Sequence, residues 1–168
     1  MTSLYKRARS KLALLWFTAM GRPRFAHLGR NGFLYSPYRV DGAERISLGE
    51  GSVFQRGGWL YCAGDGVGPP SLRIGKGCVF GYNNHIAAAG SVSIGDHVLT
   101  ANNVYISDNL HEYRDIGRPV MHQPVVVKGK VEIGDGCWLG PGGRPSRSRV
   151  GRKASSSCTL VITCGGRT

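Results

Sequence analysis

Four short segments of the chain align with one another in order: SLGEGSVF at 47–54, RIGKGCVF at 73–80, SIGDHVLT at 93–100 and EIGDGCWL at 132–139. Each carries an aliphatic residue (Leu48, Ile74, Ile94, Ile133) followed by glycine. Four residues beyond that glycine stands a second apolar residue (Val53, Val79, Leu99, Trp138). ANNVYI continues the stepping, with Val104 five residues after Leu99. Apolar side chains at intervals of five or six suit short strands that point inward and turn through the small or polar residues between. Glycine directly after the inward aliphatic suits a corner where a side chain would crowd the backbone. One such strand buries too little surface to be stable alone. Successive coils stacked on one another bury a continuous apolar column and pair their strand edges. An all-β solenoid is therefore expected, and 26 glycines and 8 prolines in 168 residues favour its many tight turns over long helices.

The net charge of +12 lies at the ends of the chain. Residues 1–30 hold seven Lys/Arg and no acid, and residues 141–168 hold six and no acid. That leaves nine basic residues against ten acidic ones in 31–140, a net of −1. A fold that grips phosphates should carry its charge on the fold itself, so no nucleic-acid partner is expected. The N-terminal stretch LYKRARSKLALLWFTAMGRPRF has an apolar run, Leu12 to Met20, too short to span a bilayer. It has the layout of a signal peptide, but no small-x-small site follows. Two readings stay open for residues 1–24: a short helix on an anionic membrane surface, or one packed on the domain through its Leu/Trp/Phe face. Five cysteines (62, 78, 137, 158, 164) without a CxxC pair read as reduced thiols in a cytosolic protein.

The motifs IGDHVLTANNVYISDNLHEY and VEIGDGCWLG resemble the hexapeptide-repeat acyltransferases, over roughly residues 30–140. The resemblance is to the branch of sugar O-acetyltransferases related to maltose and galactoside acetyltransferases and to surface-polysaccharide O-acetyltransferases. It implies a left-handed parallel β-helix with coils of 18 residues, against the usual crossover hand. It also implies a homotrimer with active sites between subunits and acetyl-CoA as acyl donor, with no metal. The acceptor would be a sugar or polysaccharide, at the cytoplasmic side of a membrane. The chain then divides into a basic segment 1–30 with a short helix, a β-helix domain 31–140 and an irregular basic tail 141–168. Measured against an 18-residue coil, the steps Leu48–Ile74, Ile74–Ile94 and Ile94–Ile133 are long by 8, 2 and 21 residues. The first surplus falls on GDGVGPP (64–70). The last falls on a segment at 107–127 that lacks inward rhythm and should be a loop thrown out from the wall, carrying His111.

A sugar hydroxyl needs a base to attack a thioester at neutral pH, and imidazole, with an ordinary pKa of about 6.5, suits the task. The resemblance gives that role to His111, with Asp108 or Glu112 as candidates to orient its other nitrogen. His85 lies in the adjacent coil and could face the same cleft. The family binds acceptor or donor through an asparagine in that coil, which implies Asn83 or Asn84; a turn asparagine is the plainer reading. His97 reads as a turn residue. Trp138 matches a family tryptophan near the acetyl-CoA site, or fills the interior as a large corner residue. Three histidines converging on a metal, as in a carbonic anhydrase of this fold, fit the spacing of 85, 97, 111 and 122 poorly. Beyond Gly140 the repeat gives way to Arg/Ser-rich text, with Gly, Pro and Arg at positions 143, 145 and 149 where inward residues belong. A shifted reading frame would produce this. It would leave the last sheet edge uncapped and the donor site incomplete. A non-catalytic β-helix scaffold is accordingly the alternative to an O-acetyltransferase.

Overall fold

The computed structural model describes residues 24–36, 38–63 and 71–140, and the backbone at 145–146 and 160–162. The expected N-terminal helix, the 64–70 insertion and most of the basic tail lie outside the described residues. Among the described residues, no helix is long and apolar enough to cross a membrane.

The chain winds around a three-sided prism. Strands His27–Leu28, Ile46–Leu48, Ser71–Ile74, Ser91–Ile94 and Lys130–Ile133 pair in parallel as its first face. The second face is Phe33–Leu34, Val53–Phe54, Val79–Phe80, Leu99–Thr100 and Trp138–Leu139. The third is Tyr38–Asp41, Gly58–Cys62, His85–Ala88 and Tyr105–Ser107. Equivalent residues stack directly: Leu48 on Ile74, Ile74 on Ile94 and Ile94 on Ile133.

These aliphatics are buried, as the repeat implies. The second apolar set is not what fills the prism. Val79, Leu99 and Trp138 are 42%, 47% and 38% exposed, and they stack on the outside of the second face. The inward side chains are their neighbours on either side: Cys78 and Phe80, Val98 and Thr100, Cys137 and Leu139. The corner turns within three residues of the glycine, so strand alternation resumes one position earlier than a step of five allows. The column closes with the rings of Phe54 and Phe80, stacked 3.9 Å apart and 5° from parallel. Cys62 and Cys78 are buried free thiols whose pKa is raised by burial. Cys137 is disulfide-bonded, so the all-reduced reading does not hold there.

The corner glycines are required by contact with the next coil. A methyl on Gly49 would sit 2.6 Å from the Lys76 amide nitrogen and closer still to the Gly75 carbonyl group. The position two residues later is left-handed in every described coil: Asn31, Gly51, Gly77, His97 and Gly136 have φ between 56° and 68°. His97 is thus a turn residue, as expected. Carboxylates tie these corners together. Asp96 accepts the Lys76 N–H at 2.9 Å, and Asp135 accepts the Asp96 N–H at 2.7 Å. The Lys76 amide bond is the main cause holding the Asp96 carboxyl below its ordinary pKa.

The register step is 20 residues for the regular coils, Leu28 to Leu48 and Ile74 to Ile94, where 18 was expected. Two sides take the standard six: Ile74 to Phe80, and Phe80 to Ile86. The third takes eight, from Ile86 to Ile94, with Ala88 as an additional inward residue. Both long insertions leave from this same third corner. The second is not an irregular loop. Asn109–His111 and Val125–Val127 pair antiparallel as a hairpin, with a 3₁₀ turn at Val120–His122 near its tip. Two short strands pair on the far end of the last described coil. Pro145–Ser146 runs antiparallel to Trp138–Leu139, and Leu160–Ile162 antiparallel to Lys130–Ile133. The last edges of the first two faces are therefore covered, where an open edge was expected.

Gly49→Ala and Gly136→Ala separate the two demands on glycine. The first forces a methyl into backbone and should cost about 3 kcal/mol. The second, at φ 65° with open space around it, should cost about 1–2 kcal/mol. Urea unfolding of the two variants measures the difference. A Gly136→Ala midpoint below that of Gly49→Ala contradicts the stacking argument.

Candidate active site

Outward side chains of the third face form a stack that climbs the prism: Arg39, Trp59, His85 and Tyr105 occupy one register column. The Arg39 guanidinium lies 4.7 Å from the Trp59 ring centroid. The His85 ring lies 4.0 Å from the indole and within 4° of parallel. Tyr105 meets His85 edge-on at 4.9 Å. Asp41 fixes the lower end, since its Oδ2 accepts from Trp59 Nε1 at 2.9 Å and from Arg39 Nε at 2.8 Å. Burial among these rings lowers the His85 pKa below its ordinary 6.5, so the imidazole is neutral at pH 7. Its Nε2 is buried and lacks a hydrogen-bond partner.

In the next column, Tyr61 is followed by Ala87 and Ser107. Ala87, with Ala63 and Ala89, leaves a hollow beside the stack. The hairpin walls the hollow with Leu110, Val125 and Val127, and His111 lines it too. The result is a pocket of about 400 Å³ with His85 and His111 both in its lining.

The cluster Ser107-Asp108-Asn109 holds the base of the hairpin. Asp108 is 3% exposed. Its carboxylate accepts the N–H of Ala89 at 2.8 Å, the N–H of Gly90 at 2.7 Å and Asn109 Nδ2 at 2.9 Å. Ser107 Oγ donates to the Asn109 carbonyl and accepts the Asn109 N–H. At the other end of the hairpin, Lys128 N–H donates to the Asp108 carbonyl. Asp108 thus fastens the hairpin to the corner of the preceding coil, and neither of its oxygens is directed to His111. Glu112 accepts the N–H of Tyr113 and Arg114, and the Tyr113 bond is the main cause lowering its pKa.

The other expected ligand residues stand apart from the pocket. Asn83 is an exposed left-handed turn residue whose Nδ2 donates to Asn103 Oδ1 at 3.3 Å. Asn84 is 1% exposed inside the prism, where it donates to Gly81 O, Thr100 Oγ1 and Ala101 O and accepts the Val104 N–H. A buried amide whose donors are all engaged inside the prism has none left for a ligand in the pocket. Trp138 lies on the outside of the second face and does not line the pocket. What sequence reasoning missed is Trp59, Tyr105 and the alanine floor. The signal available was HIAAAG at 85–90, where small residues stand at outward positions of a strand that is otherwise regular. Among the described residues, no group of three His, Cys, Asp or Glu side chains is placed to hold a metal.

Comparison with known proteins bears on this arrangement. No family model matches the chain. Over 70 residues it is 40% identical to "Probable acetyltransferase Rv3034c" of Mycobacterium tuberculosis. That alignment takes in 42% of this chain and 23% of the relative, so the chain spans about a quarter of the relative's length. The structure of AntD, an N-acyltransferase from Bacillus cereus, in complex with dTDP and 3-hydroxybutyryl-CoA, superimposes with a TM-score of 0.55 at 12% identity. It covers 74% of this chain and 68% of AntD. A variant of AntD with dTDP-4-amino-4,6-dideoxyglucose and coenzyme A gives a TM-score of 0.53 at 14% identity, over 73% and 67% of the two chains. The fold is a left-handed parallel β-helix, and among the described residues it is all-β apart from isolated 3₁₀ turns.

The neutral state of His85 links stability to pH. The unfolded chain titrates this group near 6.5 and the folded chain below it. Between those values the unfolded state binds more protons, so stability is full above 6.5 and declines as pH falls through the interval. Denaturant unfolding at pH 7.5 and 5.5 should show a smaller loss for His85→Phe than for the wild type. An equal loss in both proteins means the ring is not held neutral.

Proposed function

We propose that this chain is an acyltransferase that moves an acyl group from a coenzyme A thioester to a sugar hydroxyl, with His111 as general base. The carrying observation is the pocket itself: the hairpin, fastened by Asp108, brings His111 into the same apolar hollow as His85. The partial identity to an acetyltransferase and the fold shared with a CoA-bound N-acyltransferase support the reaction class. The sequence resemblance favours oxygen over nitrogen as the acceptor atom. It also favours a surface polysaccharide or its precursor as acceptor and a homotrimer, and the basic, apolar composition of residues 1–24 is compatible with contact at the inner face of a membrane.

His111 takes the proton of the acceptor hydroxyl as the oxygen attacks the thioester carbonyl. The new C–O bond forms, the C–S bond breaks, and the proton held by the imidazole passes to the departing thiolate. No covalent enzyme intermediate is needed. The neutral His85 adds no positive charge to the pocket that both histidines line.

Thiol release from acetyl-CoA across a panel of sugars tests the reading. His111→Ala should lower acceptor-dependent release by about 100-fold or more, with circular dichroism unchanged because the side chain is exposed. Release that survives the substitution removes His111 from the mechanism. Absence of release from every sugar, with folded protein, favours a scaffold.

A further inference from the structure

The pocket beside His111 is larger than transfer of an acetyl group requires. At about 30 Å³ for each water-sized group, its volume of about 400 Å³ holds roughly a dozen, and an acetyl group fills a small corner of it. Its lining narrows the occupant. The floor is Ala63, Ala87 and Ala89, and one side is Leu110, Val125 and Val127. Among the described residues, no Lys, Arg, Asp or Glu lines it. A phosphate or carboxylate entering would lose its water and meet no countercharge.

A sugar ring is poorly served for a different reason. Trp59 is the natural platform for a pyranose, but Arg39 from the coil on one side covers one face of the indole and His85 from the other side covers the opposite face. Asn109 Nδ2, the amide donor in the lining, is already bound to Asp108 Oδ1 and within 3.4 Å of the Ala87 carbonyl, which leaves the exposed Tyr61 and Tyr105 phenols and the two imidazoles as the polar groups of the lining. What the pocket offers is mostly apolar volume lined by no Lys, Arg, Asp or Glu, with walls at Leu110, Val125 and Val127 that are partly open to solvent. The sequence opens it at one position: Ala87 stands in register between Tyr61 and Ser107, and a side chain of tyrosine size there would close it.

We infer that this pocket receives the acyl chain of the donor and that the protein selects acyl groups longer than acetyl. The inference rests on the acyl-transfer reading above. A chain laid on the alanine floor leaves its thioester carbonyl beside the imidazole that lines the same space. Each methylene multiplies affinity about fourfold when fully buried; the walls here are partly exposed, so burial of the two extra methylenes is incomplete and a butyryl donor should exceed an acetyl donor by about tenfold.

Two measurements on the full chain test this: calorimetric binding of acetyl-CoA and butyryl-CoA without acceptor, and kcat/KM with the same two donors. The wild-type butyryl-to-acetyl ratio should be about ten in both, and Ala87→Leu should bring it to about one. Ala63→Val, also on the floor, serves should Ala87→Leu fail to fold, and it should lower the ratio in the same direction. A wild-type ratio near one overturns the inference, as does a ratio of ten preserved in a folded floor variant. A floor variant that changes only the acceptor KM assigns the pocket to the acceptor and overturns it as well. A tenfold binding ratio without turnover on any acceptor keeps the pocket assignment and removes the transferase reading. Turnover without a chain-length ratio does the reverse.

Discussion

Everything in this molecule depends on backbone pairing between one coil and the next, in register. Because Leu48, Ile74, Ile94 and Ile133 sit directly above one another, any property of a position becomes a property of a column. A small or apolar inward residue in one coil must be matched by a compatible one above and below, since native interiors leave few voids. The same stacking acts on the outside. There it turns single residues into ladders, such as Arg39, Trp59, His85 and Tyr105 on the third face. The corner glycines are the cost of bringing coils so close. Where the next coil's backbone passes within van der Waals distance, no side chain fits.

A prism built this way is rigid on its faces and permissive at its corners, and here one corner carries both insertions. Six-residue sides pack to a fixed geometry, whereas the eight-residue side ends in a wider bend through Ala88, Ala89 and Gly90. That bend exposes two backbone N–H groups, of Ala89 and Gly90, and Asp108 of the following coil satisfies both. Gly90 has no side chain because Val127 of the hairpin lies where its methyl would be, 2.9 Å from Val127 Cγ1. One carboxylate and one glycine thus fix the angle at which the hairpin leaves the wall, and with it the place of His111. The catalytic proposal inherits its geometry from these two residues more than from the neighbours of His111 in sequence.

The His85 stack shows how a titratable group is set by tertiary surroundings. In sequence it is one polar residue among asparagines. In the fold it lies against an indole whose other face is taken by a guanidinium and whose N–H is taken by Asp41. Desolvation by that packing disfavours the imidazolium of His85.

The aliphatic–glycine steps by themselves determined that the chain is a solenoid, which residues begin each coil, where it is interrupted, and that His111 rides on the largest interruption. These are legible because they rest on local rules: which side chains seek burial, and where a backbone turns too tightly for one. Which of two adjacent positions faces inward was misread at Val79, Leu99 and Trp138, because a one-residue shift in a corner reverses strand alternation. Asn84 and Asp108 carry side chains equally suited to a ligand or to a neighbouring N–H, and only the coil 20 residues away decides between them. The pocket, the Trp59–His85 stack and the hairpin in place of a loop all join residues that are distant in the chain. Their distances and burial are set by coil-to-coil register, which no single stretch of sequence contains.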